Sequence, residues 1–488
     1  MPTPVTPGGT AATSAGSTEP WFVAVEVLVR PGAARPEFGA GERLDAFGVA
    51  QLESARSRGL RTAVLARHRA CYGEELDGLV DRWIECDTQD VSAVVAATRG
   101  LDGEILVLTS SVDGFTGSAA GAARALGLRG PTPGSPALAD DRRALHGALA
   151  ATGLAHVAWA EISAGADRPG SPLGYPCVVQ PVDGGAGWDV GLVSDDRELQ
   201  ELAARHVARP DYGRGLRPRH RLVAEEYVPG PRYGADGFVD AGRPVVLAWS
   251  DTITTPPPHV ADLVRTATAR PPTEEAAGWV RDWLAAVGYD FGPFHLEFVL
   301  GPAGPRLLVL NPTPAGGGAH HCVDLVSGVD TADATVGRLL GEPAREPAGA
   351  VVASTQMHFS AQEVGRVRAV SGVREVGGIP GLVAAEVFAD LGEVTGPAGS
   401  GRERLGHVVT VGQTPEQARR RAVAALDAIV VVVDELETAL PAWGCGGSTC
   451  AAGRCPRPCC GLPGRAQGSA DGSVARREPL LQRCVPRR

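Results

Sequence analysis

Lysine is absent from this 488-residue chain: all 46 cationic side chains are arginine. That absence excludes whole classes of chemistry. No Schiff base to a side-chain amine can form, which rules out pyridoxal-phosphate and lysine-aldolase mechanisms. No Walker-A lysine can reach a phosphate. No amine of lowered pKa can serve as a general base, because a guanidinium stays protonated. Long apolar runs are missing too, and none approaches the roughly 20 residues that span a bilayer. The net charge of −10 speaks against a nucleic-acid partner, since affinity for a phosphate backbone rests on clustered cations. The stretch 1–20 has neither a cation nor an apolar segment. It reads as a disordered leader rather than a secretory signal, and the protein as cytoplasmic.

What is present suits a multi-domain globular chain. A hydrophobic share of 44% can build sizeable cores, and the length suggests about two to four domains. Cys71, Cys86, Cys177 and Cys322 are scattered, as in a reducing compartment, but Cys445, Cys450, Cys455, Cys459, Cys460 and Cys484 crowd the last 44 residues. That tail carries a net charge of +6, leaving −16 on the body. Its cysteine spacing lacks the C-x2-C pairs of a zinc ribbon, so 441–488 reads as a disordered Cys/Arg-rich extension.

Short β-rich runs alternate with helical segments over 21–134: the apolar run 21–29, a helical stretch from Asp45, then TAVLA, RWIECDT and ILVLTS. This predicts a parallel sheet flanked by helices. Gly114, Gly117 and Gly121 do not form G-x-G-x-x-G, which argues against a dinucleotide dehydrogenase. A helix is expected over 138–154, a strand–glycine loop–strand over 176–193, and three strands over 221–252. A hairpin with strict alternation in its second arm is expected over 294–317, and a helix over 414–436.

The blocks EEYVPGPRYGADGFVDAGRPVVLA, TTPPPH, HLEFVLGPAGPRLL and LNPTPAGGG follow one another in an order that resembles the ATP-grasp superfamily, especially its carboxylate–amine ligases that join amino acids. The resemblance implies an α/β chain, α+β in the ATP-grasp part. It would comprise a Rossmann-like N-terminal domain (21–134), an ATP-grasp domain (135–345, lid about 155–228) and a small C-terminal α+β domain (346–440). It implies ATP and Mg2+ as cofactors, small-molecule carboxylate and amine substrates, no nucleic acid, no membrane, and it leaves a homodimer open. The chemistry implied is phosphorylation of a carboxylate by ATP, then attack by an amine, releasing ADP and phosphate. For such chemistry a protein must neutralise phosphates and orient reactants.

Several implied site residues depart from the family pattern. Arg142 stands where the first phosphate-binding lysine belongs, and Gln180 where the second belongs, in Val178-Val179-Gln180-Pro181; these two are the implied catalytic positions. Gly184 and Gly185 lie in the phosphate loop, where Asp189 would repel an anion. Glu225, Glu226, Tyr227 and Val228 match the adenine hinge. Arg232 replaces a ribose-binding glutamate. Glu297 and Asn311 retain half of the magnesium set, Val309 and Thr313 having replaced a carboxylate and an arginine. His320 and His321 border the acceptor pocket; on a strand they would point to opposite faces. The segment 396–403 looks like a Walker-A loop, but Arg402 and Glu403 replace its lysine and hydroxyl, so it reads as a surface loop. These departures leave two expectations: a ligase, or a catalytically impaired relative that binds nucleotide or a partner.

Overall fold

The computed structural model describes residues 19–27, 40–41, 46–73, 76–166, 169–185, 187–212, 215–255, 261–399 and 403–434. The leader 1–18, the tail 441–488 and most of TTPPPH lie outside them. Contacts group 1–434 as one unit. Among the described residues no helix is long and apolar enough to cross a membrane.

The chain opens with β1 (Trp21–Val25), β2 (Ala40–Gly41), α1 (Phe47–Ser57), β3 (Arg61–Ala66), β4 (Arg82–Glu85), α2 (Val91–Arg99), β5 (Ile105–Thr109) and α3 (Thr116–Ala125). Strands β4-β3-β1-β5 form a parallel sheet, as the alternation of apolar strands and helices predicts. The apolar run ends as strand at Val25, short of residue 29. Glu26 turns the backbone to φ 53° and is fully buried. Its carboxylate accepts from Arg67 N at 2.7 Å, Thr88 Oγ1 at 2.9 Å and the Tyr72 hydroxyl. Three donors compensate a buried charge that would otherwise be prohibitive.

Next come α4 (Ser135–Ala139) and α5 (Arg142–Ala151). The single helix expected over 138–154 is therefore two. The break has a local cause: Asp141 is extended and caps α5, accepting from Arg143 N at 3.0 Å and Ala144 N at 3.3 Å. Asp141 also takes Arg143 and Arg219 guanidinium contacts, each at 2.7 Å. Asp141→Ala is expected to lower unfolding free energy by about 1 kcal/mol, the usual worth of an N-cap, read by urea denaturation. Thermal and urea midpoints indistinguishable from wild type would show that the cap contributes nothing.

A second layer holds β6 (Trp159–Ser163), β7 (Cys177–Pro181), β8 (Gly191–Val193), α6 (Asp196–Val207) and β9 (Arg221–Glu226). Its strands are antiparallel in the order β6-β9-β7-β8. The chain continues through β10 (Arg232–Asp240), β11 (Arg243–Thr254), β12 (Asp262–Thr268), α7 (Ala276–Ala286), β13 (Gly292–Gly301), β14 (Gly304–Asn311), α8 (His320–Ser327) and α9 (Thr331–Leu340). It ends with β15 (Ala353–Phe359), β16 (Gly365–Ser371), β17 (Leu382–Val387), β18 (Val394–Thr395), β19 (Gly406–Gly412), α10 (Pro415–Ala428) and β20 (Val430–Asp434). One nine-stranded sheet runs β14-β13-β10-β11-β12-β15-β19-β17-β2, so strands on both sides of residue 346 share a ladder. Its core packs Phe294, Leu296, Phe298, Trp283 and Leu310. The helix expected over 414–436 stops at Ala428. The run Val430–Val433 is strand β20 instead, because β-branched side chains favour the pleat.

Candidate functional site

The floor of the site is the β13–β14 hairpin. Its register sets His295 opposite Asn311 and Glu297 opposite Val309. Phe298 then pairs with Leu307, so Leu308 is an extra residue in a bulge. The strict alternation expected of the second arm therefore fails at this point. A bulge leaves its inserted residue outside the ladder, and the Leu308 carbonyl accepts instead from Arg142 Nη1 at 2.9 Å. Arg142 is the first residue of α5, and its buried Nε has no hydrogen-bond partner among the described residues.

Glu297 is caged by cations. Its Oε1 accepts from Arg265 Nη2 and from His295 Nε2 at 3.1 Å, and Arg232 Nη2 lies 3.8 Å from Oε2. Arg265, on β12, also reaches Asp262 at 3.0 Å. His295 Nδ1 bonds Asp236 at 2.8 Å. Burial would push the His295 imidazole down, but the Asp236 and Glu297 carboxylates outweigh it and lift it to about 9. At neutral pH the ring is therefore an imidazolium. Burial would likewise raise Glu297, yet Arg265 and His295 hold it well below the usual carboxylate range. Arg265 was not legible as a site residue; nothing in its local pattern marks it.

These residues do not fit a magnesium ion. A hard cation needs several free oxygen ligands. Glu297 already serves cations, Val309 offers no oxygen, Asn311 opposite His295 adds a single amide oxygen, and among the described residues no group of three His, Cys, Asp or Glu could hold a metal.

Across the floor lies the hinge. Gln180 on β7 and Glu225 on β9 are buried, at 7% and 3% exposure. Gln180 Nε2 donates to Glu225 Oε2 at 2.7 Å, and His146 Nε2 meets Oε1 at 2.7 Å. Burial alone would raise the Glu225 pKa, but His146, the Arg142 charge and the Gln180 amide hold it below the ordinary value. Both Glu225 oxygens thus have protein partners. His146, stacked on Trp159 with centroids 5.6 Å apart, was not anticipated. Its place one helical turn after Arg142 was the available signal.

Glu226 is exposed and ties its backbone N to Ala158 O at 2.8 Å. Tyr227 and Val228 leave the strand, Tyr227 at 40% exposure. The hinge then lies against the hairpin turn: a Cβ on Gly230 would stand 2.4 Å from Leu300 O, and one on Gly301 would stand 2.5 Å from Val228. Only glycine permits that approach.

The glycine loop follows β7. A Cβ on Gly184 would meet Pro181 at 3.0 Å, and one on Gly185 would be 3.9 Å from Asp113 Oδ2. Asp189 does not face the loop as a bare charge. It accepts from Arg209 at 2.7 and 2.6 Å and pairs with His206 at 3.0 Å, which compensates the repulsion expected of it. Asp113 Oδ1 accepts from Thr313 Oγ1 at 2.7 Å, so the residue at the lost arginine position ties the floor to the N-terminal sheet. Burial raises the Asp113 pKa and pushes Asp140 up to about 7, helped by the Asp113 charge. Neither carboxylate was singled out from the sequence.

His320 and His321 begin helix α8 rather than occupying a strand. Their rings are 4.0 Å apart, and the buried His320 sits edge-on to Phe47 at 5.5 Å. Gly317 and Gly318, with φ of 65° and 82°, end the extended chain and let the helix start.

Comparison with known proteins fits this architecture. Residues 173–321 match the family described as ATP-grasp domain, and 357–434 match L-amino acid ligase C-terminal domain 2. An uncharacterised protein, y4rH, of Sinorhizobium fredii (strain NBRC 101917 / NGR234) is 26% identical over 399 residues, 78% of this chain and 80% of that one. Carnosine synthase 1 of Gallus gallus is 33% identical over 178 residues, 35% of this chain but 19% of that protein. The crystal structure of an L-amino acid ligase from Bacillus licheniformis superposes with a TM-score of 0.66 at 18% identity, covering 86% of this chain and 100% of that one. The chain thus carries an ATP-grasp domain over 173–321 and the L-amino acid ligase C-terminal domain 2 over 357–434.

Proposed function

We propose that the chain is an ATP-dependent carboxylate–amine ligase acting on amino acids or peptide-like acids, with the Arg142 guanidinium at the first of the two expected lysine positions. The observation that supports this is Arg142. The N-cap at Asp141 and the bulge carbonyl of Leu308 fix it between hinge and floor. Its buried Nε still lacks a partner among the described residues, and an orphaned cationic donor favours an anion.

In this reading the adenine lies against Glu225–Val228, where backbone groups read its edge. The phosphates lie under Gly184 and Gly185, within reach of Arg142. A substrate carboxylate oxygen attacks the terminal phosphorus as the bridging phosphorus–oxygen bond breaks and ADP leaves. The amine nitrogen then attacks the acyl carbon, the carbon–oxygen bond to phosphate breaks, and phosphate departs with that electron pair. Asp113, raised by burial, is placed to take the proton the amine loses. Charge neutralisation and positioning supply most of the acceleration. No step is routed through a divalent metal.

A second reading is supported by the caging of Glu297: a nucleotide-binding or partner-binding module without turnover. One experiment separates the two. Purified protein is incubated with ATP and pairs of amino acids, with Mg2+ and with EDTA, and ADP release is followed beside ATP calorimetry. The ligase reading expects ADP above background with at least one pair. Saturable ATP binding with no ADP from any pair leaves the binding module.

A further inference from the structure

The glycine loop between β7 and β8 is pinned at both ends by the connection between α6 and β9. At the far end Asp189 accepts from Arg209 Nε at 2.7 Å and from Arg209 Nη2 at 2.6 Å. Its Oδ2 also meets His206 Nδ1 at 3.0 Å. The same Arg209 guanidinium lies over the Trp188 ring, 4.4 Å from its centroid, a cation–π contact. At the near end Asp183 accepts from Arg219 N at 3.0 Å and from the Tyr212 hydroxyl at 3.4 Å. Tyr212 meets Trp188 edge-on at 5.6 Å. Between the two pins, Trp188 N donates to Gly185 O at 3.1 Å and closes a turn.

The pinning connection is itself fixed. Tyr212 N donates to Leu216 O at 2.8 Å. Arg67, just after β3, donates from Nη1 to Gly215 O at 3.1 Å, and Leu216 packs against the core of the N-terminal sheet. The position of the loop is thereby referred to the rigid parallel sheet. The anchor at Asp189 carries a cost that its partners offset. Its backbone has φ 53°, a conformation that glycine adopts freely and other residues rarely. Burial would raise the Asp189 carboxyl, but Arg209 and His206 hold it below the ordinary range. A bidentate guanidinium–carboxylate pair fixes orientation as well as distance.

A loop held in place before its ligand arrives spares the ordering cost of binding. That saving offsets the Coulomb attraction that the neutral Gln180 does not supply. We propose that Arg209 is a positioning residue for the nucleotide phosphates: acting through Asp189 and Trp188, it holds Gly184 and Gly185 in the conformation that receives them. This rests on the nucleotide-binding part of the proposed function and needs no turnover.

The test titrates the full chain with ATP and with adenosine by calorimetry, and follows amide hydrogen exchange over 184–189 without nucleotide and with ATP. Arg209→Met should weaken ATP at least tenfold and leave adenosine unchanged, since adenosine reaches only the hinge. Arg209→Lys keeps the charge without the fork and should recover part of the loss. The loop amides should exchange slowly in the ligand-free wild type and fast in ligand-free Arg209→Met, then slowly again in that variant once ATP is bound. Asp189→Gly keeps the backbone conformation and removes the anchor. It should give the same pattern, and it serves if Arg209→Met does not fold. Equal loss of ATP and adenosine reduces Arg209 to a structural role and overturns the proposal. So does unchanged ATP affinity in either variant, or fast loop exchange in the wild type. A wild type that binds no ATP removes the nucleotide reading and the proposal with it, whereas ATP binding that neither variant alters removes the proposal alone.

Discussion

Arg265→Met is expected to destabilise the fold by about 3–5 kcal/mol, the loss seen when one partner of a buried ion pair is removed. Arg265 and Glu297 side chains are only 9% and 14% exposed, so solvent screens little of the interaction. Methionine fills similar volume but leaves Glu297 and Asp262 with His295 as the main remaining cation. Glu297 titrates well below the ordinary glutamate range. Its contribution is therefore present above the unfolded pKa and lost as pH falls through the folded one. In Arg265→Met that acid-side loss should begin at higher pH. Urea denaturation between pH 4 and 8 measures both effects. The double variant Arg265→Met/Glu297→Gln should recover much of the stability, because the stranded charge is gone. A single-variant loss below about 1 kcal/mol would mean that the pair does not hold the floor. The same variant tests the metal question. With its cage opened, Glu297 should acquire a weak Mg2+ response in thermal unfolding that the wild type lacks.

The legible and illegible parts of this molecule differ in range. The hinge and the floor were legible because each is written in a few consecutive residues: Glu225–Val228 closes a strand, and His295-Leu296-Glu297 alternates along another. The parallel N-terminal sheet was legible for the same reason, its strands being apolar runs between helices. The cage around Glu297 was not. Arg265 and its partner Asp262 come from β12, and only the continuity of the nine-stranded sheet brings them to β13. The bulge at Leu308 was also hidden, since one inserted residue does not disturb a run of Leu and Val. Two boundaries were misjudged where a local competitor won: the Asp141 cap split a helical pattern, and β-branching turned Val430–Val433 from helix to strand. The lysine-free composition gains a sharper meaning here. At position 142 the swap to arginine keeps a charge at the cleft. At position 180 the neutral glutamine is used up by Glu225, and fixed guanidinium charge has gathered instead around Glu297.

Glu225→Gln should lower stability by about 2–4 kcal/mol, in the range for breaking buried charge-assisted hydrogen bonds, and weaken ATP at least tenfold. The substitution keeps the shape of the side chain, so packing is not the cause. The carboxylate accepts at both oxygens, from Gln180 Nε2 and at His146 Nε2. A carboxamide loses the charge and offers one acceptor and one donor, so it keeps both contacts only if His146 changes tautomer or the Gln180 amide flips. Because Glu225 sits on the central β9, paired to β6 on one side and β7 on the other, the mismatch loosens the layer that positions hinge and glycine loop together. The pH dependence carries the signature. Glu225 titrates below its ordinary value, so its stabilisation is present at neutral pH and lost as pH falls through the folded pKa. Glu225→Gln should therefore flatten the acid limb of the stability profile. Gln180→Leu removes only one of the two contacts and should lose less, about 1–3 kcal/mol. If Gln180→Leu loses as much as Glu225→Gln, or if the acid limb is unchanged, the buried Gln180–Glu225–His146 bridge is not what orders the hinge.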